Sequence, residues 1–585
     1  MKVDVDKEPE PEMRTCDGET CPLNLMPEGT SDDKTTNGGM DDVISLGVSR
    51  DDIVIILSGL YGILLVVIGL VLPIAETFVR TDSRQNYMFE FFYIYVYTAG
   101  LAFLLFIYVF LLRTEPLPTP NWLCSVYVWL RSRISGAKPE TEEVIAKKPK
   151  QKISYNGALH ETGSSFLRLG AVGFGIGGMV LDVLYFGQYF EFEDNHRFCL
   201  DATQILKPII KFCFSFSQLF FVFRNSKVSI LQHSSVARFG FMHMSAANVC
   251  VWFRVIVVET LHSIHSYQKS HHYALLNSTK TVKVNETEMS YFPALPELSC
   301  QWSNLIGKVL RSASPYLYPF TIEYSVICAG IFFVLWQNVG TKAKRTTTNG
   351  DVTHNHWISV DCGSSSRGLF LGILTFIASL ISMILFSVVV NTDDDSHVIV
   401  LVVYLCEIVT YAFMIVATIF AVWRMRHLQF SRHLTEELET ILAWLSFSGL
   451  FMFSVFSIFA AVYFIDTLEG ALTIVTNCFA MIQATLQTML LIMGMGMSAG
   501  NQTNATKKEG REFITFLLLC NITMWGNTTF QIKDAAHNPV QLQFYGPEAW
   551  GIFTHVSVPL SIFFRFHSTV CLSHIWKHAW KIKRL

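Results

Sequence analysis

Residues 53–72 read IVIILSGLYGILLVVIGLVL, twenty positions without a single charge. A helix rises about 1.5 Å per residue, so about 20 apolar residues cross the ~30 Å hydrocarbon core of a bilayer. Stretches of that kind recur to the end of the chain, at 88–112, 165–186, 204–223, 237–258, 316–339, 368–390, 398–423, 441–465, 471–497, 512–530 and 549–573. The least apolar, 512–530, carries Asn521, Thr523 and Asn527. The expected fold class is therefore all-α, a polytopic membrane protein of about twelve transmembrane helices.

Composition agrees. Of 585 residues, 51% are hydrophobic and only 16% charged, against about a quarter charged in soluble domains. Mean hydropathy is +0.37. The net charge of −3 offers no basic face for nucleic acid, so no nucleic-acid partner is expected. The thirteen cysteines lack the paired spacing of a zinc site. Most read as small core fillers, while Cys199 and Cys300 fall in loops assigned to the outside, where a disulfide is an open question.

Lys and Arg accumulate in cytoplasmic loops. Alternate loops carry Arg131 and Arg133, then Arg224 and Lys227, Lys342 and Arg345, Arg424 and Arg426, and Lys507 and Lys508; the C-terminal tail adds Lys581, Lys583 and Arg584. The opposite loops are acidic or neutral, with Glu191, Glu193 and Asp194 in one and Asp393 to Asp395 in another. Both termini are thus expected in the cytoplasm, which requires an even number of spans. Residues 1–50 are polar, acidic and Gly/Pro-rich, and read as a disordered cytoplasmic tail without the features of a cleaved signal peptide. The first span then serves as the signal itself. Sequons at Asn277 and Asn285 lie in a long loop assigned to the outside.

Six spans precede the polar stretch 341–366 and six follow it. The expected organisation is an N-terminal six-helix half at 51–340, a cytoplasmic linker at 341–366 and a C-terminal six-helix half at 367–585. Pro319 stands five residues before Tyr324 in the sixth span, and Pro559 five before Phe564 in the twelfth.

Ionisable groups at membrane depth cost about 2.5–3.5 kcal/mol each on insertion scales. The spans hold Asp182, His243, Arg254, Glu259, Glu323, Glu407, His555, Arg565 and His567. Each is expected either to serve a pathway or to be satisfied by a neighbouring helix. Asn248 and Glu259 share one helical stripe about three turns apart, a lining that could hold water in file. His555 lies one turn before Pro559 and exchanges protons near neutral pH. Arg565 and His567 are expected near the cytoplasmic end, against headgroups or acidic loops. Gln218, Gln483, Gln487 and Asn521 carry amides that lipid cannot satisfy, and Gln483 and Gln487 share a face.

Several ordered blocks carry a resemblance: Phe223-Arg224-Asn225-Ser226-Lys227, then Ala237 to His243; Gly368-Leu369-Phe370-Leu371-Gly372; and Phe544-Tyr545-Gly546 running into Thr554 to Leu560 and Arg565-Phe566-His567-Ser568-Thr569. Over most of the chain beyond residue 50 they resemble the otopetrin family of proton channels. The resemblance implies a homodimer in the plasma membrane, not an enzyme, with no cofactor. It implies proton entry when the outside is acidic, inhibition by zinc ions, and sterol bound near the interface between halves. It also implies a polar cluster in each half. The first is Gln218, Asn248 and Tyr324; the second is Gln483 or Gln487 with Asn521 and, in the tyrosine position, Phe564. Glu259 and His555 match family proton-path positions. Asn248 is an amide where some members have a carboxylate, and Phe564 lacks the tyrosine hydroxyl, so the first half is expected to be the more sensitive to substitution. Plausible inhibitory zinc ligands are His262, His265, His271, His272 and His537.

Two other classes compete. A proton-coupled secondary transporter of a small solute predicts a broken helix at a midplane pocket, and Gly173, Gly175, Gly177 and Gly178 in the third span are the candidate break. A membrane acyltransferase would use His196 and Asp201, a His-x4-Asp spacing in a loop assigned to the outside.

Overall fold

The computed structural model describes residues 50–78, 87–112, 153–155, 164–191, 202–225, 228–278, 305–340, 365–392, 397–431, 437–531 and 538–582. The 1–49 tail, most of the 341–366 linker, Cys199, Cys300, Asn285, His196 and Asp201 lie outside the described residues. Twelve helices there are long and apolar enough to cross a membrane. They are α1 (Arg50–Phe78), α2 (Tyr87–Phe106, continued by a π-helical turn at Ile107–Leu112), α3 (Ser165–Tyr189), α4 (Ala202–Arg224), α5 (Ser234–Ser278) and α6 (Leu305–Gln337). Then follow α7 (Ser366–Thr392), α8 (His397–Met425), α9 (Glu437–Tyr463), α10 (Leu468–Met495), α11 (Arg511–Phe530) and α12 (Pro539–His578), with a short helix at Gln502–Lys507 before α11. The chain is an all-α polytopic membrane protein, and its described spanning helices fall six on each side of the 341–366 stretch.

Local chemistry starts and stops these helices. Ser164 Oγ accepts the Leu167 amide at the start of α3, Thr467 Oγ1 the Gly470 amide at α10, and Asn538 Oδ1 the Val540 amide at α12, where Pro539 occupies the first turn. Three helices outrun their expected spans at one end by ten residues or more: α5 continues to Ser278, α6 begins at Leu305 and α12 at Pro539. A hydropathy window marks only the apolar middle, whereas backbone bonding extends through polar flanks. Helix α12 breaks at Gly546, whose φ of 79° and ψ of 163° suit glycine alone.

The same packing order appears twice. In the first half α1 lies on α5, α5 on α6, α6 on α3, α3 on α4 and α4 on α2; in the second α7 lies on α11, α11 on α12, α12 on α9, α9 on α10 and α10 on α8. Two short ribbons, beyond the all-helical expectation, repeat with them. Ile153–Tyr155 (β1) pairs with Val228–Ile230 (β2), and Gln429–Phe430 (β3) with Met497–Ser498 (β4). Each ribbon joins the loop after a half's second helix to the loop after its fourth.

The halves meet chiefly through α12 against α5, α6 and α3. Helices α5 and α12 each bury 78% of their most apolar stretch, against 22% for α1 and α7, which present Leu60, Ile63, Phe370 and Leu374 outward. Outer helices therefore face lipid and inner ones face protein.

Most charges within the spans find partners. Arg254 pairs with Glu76 and lies over the Tyr93 ring, tying α5 to α1 and α2. His243 accepts the Tyr61 hydroxyl at Nδ1 (2.7 Å) and donates from Nε2 to the Val96 carbonyl (2.9 Å), so it is a satisfied packing group. Helix α3 runs unbroken through its glycines. Gly175, Gly177 and Gly178 instead bring it close to Tyr324, Phe320 and Thr321 of α6, which is small-residue packing rather than a broken helix.

Candidate functional site

Each half buries a reciprocal pair of amides between its fourth and fifth helices. In the first, Gln218 Nε2 donates to Asn248 Oδ1 (3.2 Å), and Asn248 Nδ2 donates back to Gln218 Oε1 (3.1 Å) and to the Met244 carbonyl one turn earlier (2.8 Å). In the second, Gln487 Nε2 donates to Asn521 Oδ1 (2.9 Å), and Asn521 Nδ2 donates to Gln487 Oε1 (3.0 Å) and to the Leu517 carbonyl (2.8 Å). The match decides between the two glutamines of α10. Gln487 is the counterpart of Gln218.

Gln483 does something the first half lacks. Its Nε2 donates to Gln487 Oε1 (2.8 Å), and its Oε1 accepts Arg565 Nη1 (2.5 Å). A hydrogen-bonded chain thus runs from a guanidinium on α12 through two glutamines to Asn521. One turn before Gln218 stands Phe214, fully buried, where Gln483 precedes Gln487. Arg565 is 2% exposed and its guanidinium carbon lies 5.3 Å from the centroids of both the Tyr411 and Phe564 rings. Arg565 and His567 are therefore buried among helices and not set against headgroups or acidic loops. Helix α12 continues to His578, which sinks both residues into the bundle, where His567 Nε2 contacts the Glu439 carbonyl (2.8 Å).

The tyrosine position differs in an informative way. The Tyr324 hydroxyl donates to the Ser215 carbonyl (2.7 Å), three residues before Gln218. It serves the backbone of α4. Phe564, 0% exposed, packs with Leu450 and Ala484, and Ala484 stands three residues before Gln487. The Ala484 carbonyl thus stands at the position of the first half's acceptor, although here it already accepts the Thr488 hydroxyl (2.8 Å). Phe564→Tyr is expected to leave proton current unchanged and to change thermal stability by less than about 1 kcal/mol, the usual net worth of one such hydrogen bond, because its hydroxyl would share an acceptor already in use. Melting of the detergent-solubilised variant beside its whole-cell current checks this, and a marked current change would reject it.

Glu259 and His555 meet where α5 crosses α12. Glu259 Oε1 lies 3.9 Å from His555 Nε2, and His555 Nδ1 contacts the Gly551 carbonyl (2.6 Å). Glu259 is 6% exposed, so it is not a wetted interface residue, and its Oε2 has no hydrogen-bond partner. The pair lies apart from both amide clusters. Glu323 of α6 is also fully buried, with neither carboxylate oxygen bonded.

The cavities are unequal. Gln218, Asn248 and Tyr324 line a cavity of about 10 Å³, the room of roughly one water-sized sphere. Arg565 lies at the wall of one of about 520 Å³, with Glu407, Tyr411 and Glu469 on other sides. That ordering is the reverse of the one drawn from the Tyr324 hydroxyl.

Sequence reasoning did not find Arg565, Tyr411 and Glu407 as one group. Their signal was an arginine inside an apolar run and a Glu-x3-Tyr spacing on α8, neither of which names its partner. Of the five histidines assigned to zinc, only the His262 side chain falls in the described part. His265, His271 and His272 are described in backbone alone and His537 lies outside the described residues. Among the described residues no group of three His, Cys, Asp or Glu could hold a metal ion.

Comparison with known proteins gives a consistent set. The Otopetrin family model matches residues 166–292 and 277–566. "Proton channel OtopLc" of Drosophila melanogaster is 33% identical over 570 residues, covering 91% of this chain and 36% of the fly protein. "Proton channel OTOP2" of Mus musculus is 26% identical over 473 residues (71% of this chain, 82% of the relative), and "Proton channel OTOP1" of Danio rerio 20% over 488 (71% and 79%). The chain thus spans about a third of the fly relative and about four fifths of the vertebrate ones.

Proposed function

Because this chain belongs to the otopetrin family, we propose that it is a proton channel and not an enzyme, carrying protons down their gradient across the plasma membrane when the outside is acidic. The observation that carries this reading is the buried amide pair repeated in both halves, continued in the second half by Gln483 and Arg565 beside a roomy cavity. Protons pass along hydrogen-bonded groups and single waters, whereas other cations need a wider coordinating pore. The side-chain amide oxygens are already taken by hydrogen bonds, which leaves alkali cations little coordination. The residues proposed from the resemblance are Gln218, Asn248, Tyr324, Gln483, Gln487, Asn521, Phe564, Glu259 and His555; of these, Gln483, Gln487 and Asn521 form the hydrogen-bonded chain that reaches the larger cavity through Arg565.

The finer reading places both termini in the cytoplasm, as loop charge supports, with the halves bounded at 51–340 and 367–585. It includes a homodimer, zinc inhibition from outside and a lipid or sterol partner. The apolar groove of about 470 Å³ between α2 and α4, lined by Leu101, Leu105, Phe216 and Phe220, is a suitable lipid seat.

Whole-cell recording while external pH is stepped down tests the function. An inward current is expected, with a reversal potential that moves by about 59 mV per pH unit, the value for a tenfold gradient of one charge. Reversal that follows sodium or chloride, or solute uptake coupled to the current, would reject the channel reading.

A further inference from the structure

The repeated architecture allows the two cavities to be compared position by position. Lys211 and Lys207 stand seven and eleven residues before Gln218 on α4; Ala480 and Thr476 stand seven and eleven before Gln487 on α10. Gly177 of α3 lies against Phe320 and Gly449 of α9 against Leu560, each the residue after its helix's proline, and five residues beyond them come Asp182 and Ser454. Tyr97 of α2 and Tyr411 of α8 each line their own half's cavity, and seven residues before them stand Glu90 and Tyr404. Where the second half has Ser454, Ala480, Tyr404 and Thr476, all lining its open cavity, the first half has four charges.

Those charges are paired. Lys211 Nζ lies 2.5 Å from Asp182 Oδ1, joining α4 to α3, and Lys207 Nζ lies 3.0 Å from Glu90 Oε1, joining α4 to α2. The carboxylate side chains are 3% and 11% exposed. Paired ions so far from water persist because breaking either pair would strand a charge in a medium that cannot solvate it. Long side chains fill space that serine and alanine leave empty, and each pair cross-links two helices across that space.

We propose that the ion pairs Asp182–Lys211 and Glu90–Lys207 are a plug that closes the first half's vestibule, leaving the second half as the open one. The plug adds to the proton-channel reading a division of labour between halves, and rests on that reading for its meaning. Occlusion itself is measurable without any current.

The test uses matched reporters. Thr321 and Ser561 stand two residues after Pro319 and Pro559, and each lines its own half's cavity. In the full-length protein at the cell surface, Thr321→Cys and Ser561→Cys are exposed to a small cationic thiol reagent from outside, and labelling above that of the parent chain is followed. Ser561→Cys is expected to label at least about tenfold faster, corresponding to about 1.4 kcal/mol of closure. Adding Asp182→Ser with Lys211→Ala, and then Glu90→Tyr with Lys207→Thr, should bring Thr321→Cys to the rate of Ser561→Cys. Equal labelling with the ion pairs intact would overturn the proposal, as would slow labelling of Thr321→Cys after both pairs are gone. If those variants do not reach the surface, Ser454→Asp with Ala480→Lys decides: it should slow Ser561→Cys about tenfold, and unchanged labelling would count against the plug. Absence of proton current in the parent chain would reject the channel function without touching these rates.

Discussion

Arg565→Leu is expected to lose about 2–4 kcal/mol of stability, read as a lower melting temperature in detergent and reduced protein at the cell surface. The figure combines a hydrogen bond to a charged group at about 1.5–3 kcal/mol with desolvated cation–π contacts at about 2 kcal/mol, less the relief of no longer burying a charge. Among the described residues Arg565 is the largest charged side chain fully inside the bundle, and its Nη1 is a donor to Gln483 Oε1. Leucine leaves that acceptor unpaired next to an amide chain whose other members are all engaged. Arg565→Lys keeps the cation but not the planar fork that faces the Tyr411 and Phe564 rings, and should recover only part of the loss. A leucine variant that melts with the parent protein would show that the guanidinium is not holding α12 to α10.

The second large effect separates the halves. Gln487→Leu and Asn521→Leu should each lower proton current per surface channel by about tenfold or more, equivalent to 1.4 kcal/mol on the rate-limiting barrier. Gln218→Leu should change it by less than about twofold, under 0.5 kcal/mol. The reason is access. Gln487 belongs to the chain that ends at Arg565 on the wall of the cavity of about 520 Å³, whereas Gln218 sits in one of about 10 Å³ walled in part by the Asp182–Lys211 pair. Tyr324, which from sequence favoured the first half, donates its hydroxyl to a backbone carbonyl and so has no free proton to relay. Surface biotinylation separates lost folding from lost conduction. A strong loss in Gln218→Leu with Gln487→Leu near normal would restore the order that the tyrosine suggested.

Both expectations depend on neighbours, and neighbours are where the reading of residues alone ran short. The sequence placed Arg565 near the membrane edge because a hydropathy window ends before the helix does. It left Gln483 and Gln487 as alternatives because both lie on one face of α10; only the 2.9 Å bond to Asn521 distinguishes them. Glu259 and His555 were picked separately and are brought within 3.9 Å by the crossing of α5 and α12.

What the sequence determined by itself is local. Whether 20 residues cross a bilayer depends on the transfer free energy of each residue, summed along one helix, so the twelve spans and their alternating loop charge are legible without any contact. The polar residues that cannot face lipid are legible for the same reason. Which of them touch is a property of helix packing, in which Gln218 meets a residue thirty positions away and Lys207 pairs with one on α2. Two halves with one packing order then acquire different interiors, because Asp182 and Lys211 reach each other across a gap that Ser454 and Ala480 leave open. Tertiary structure decided that difference, since a plug exists only where two side chains from separate helices meet.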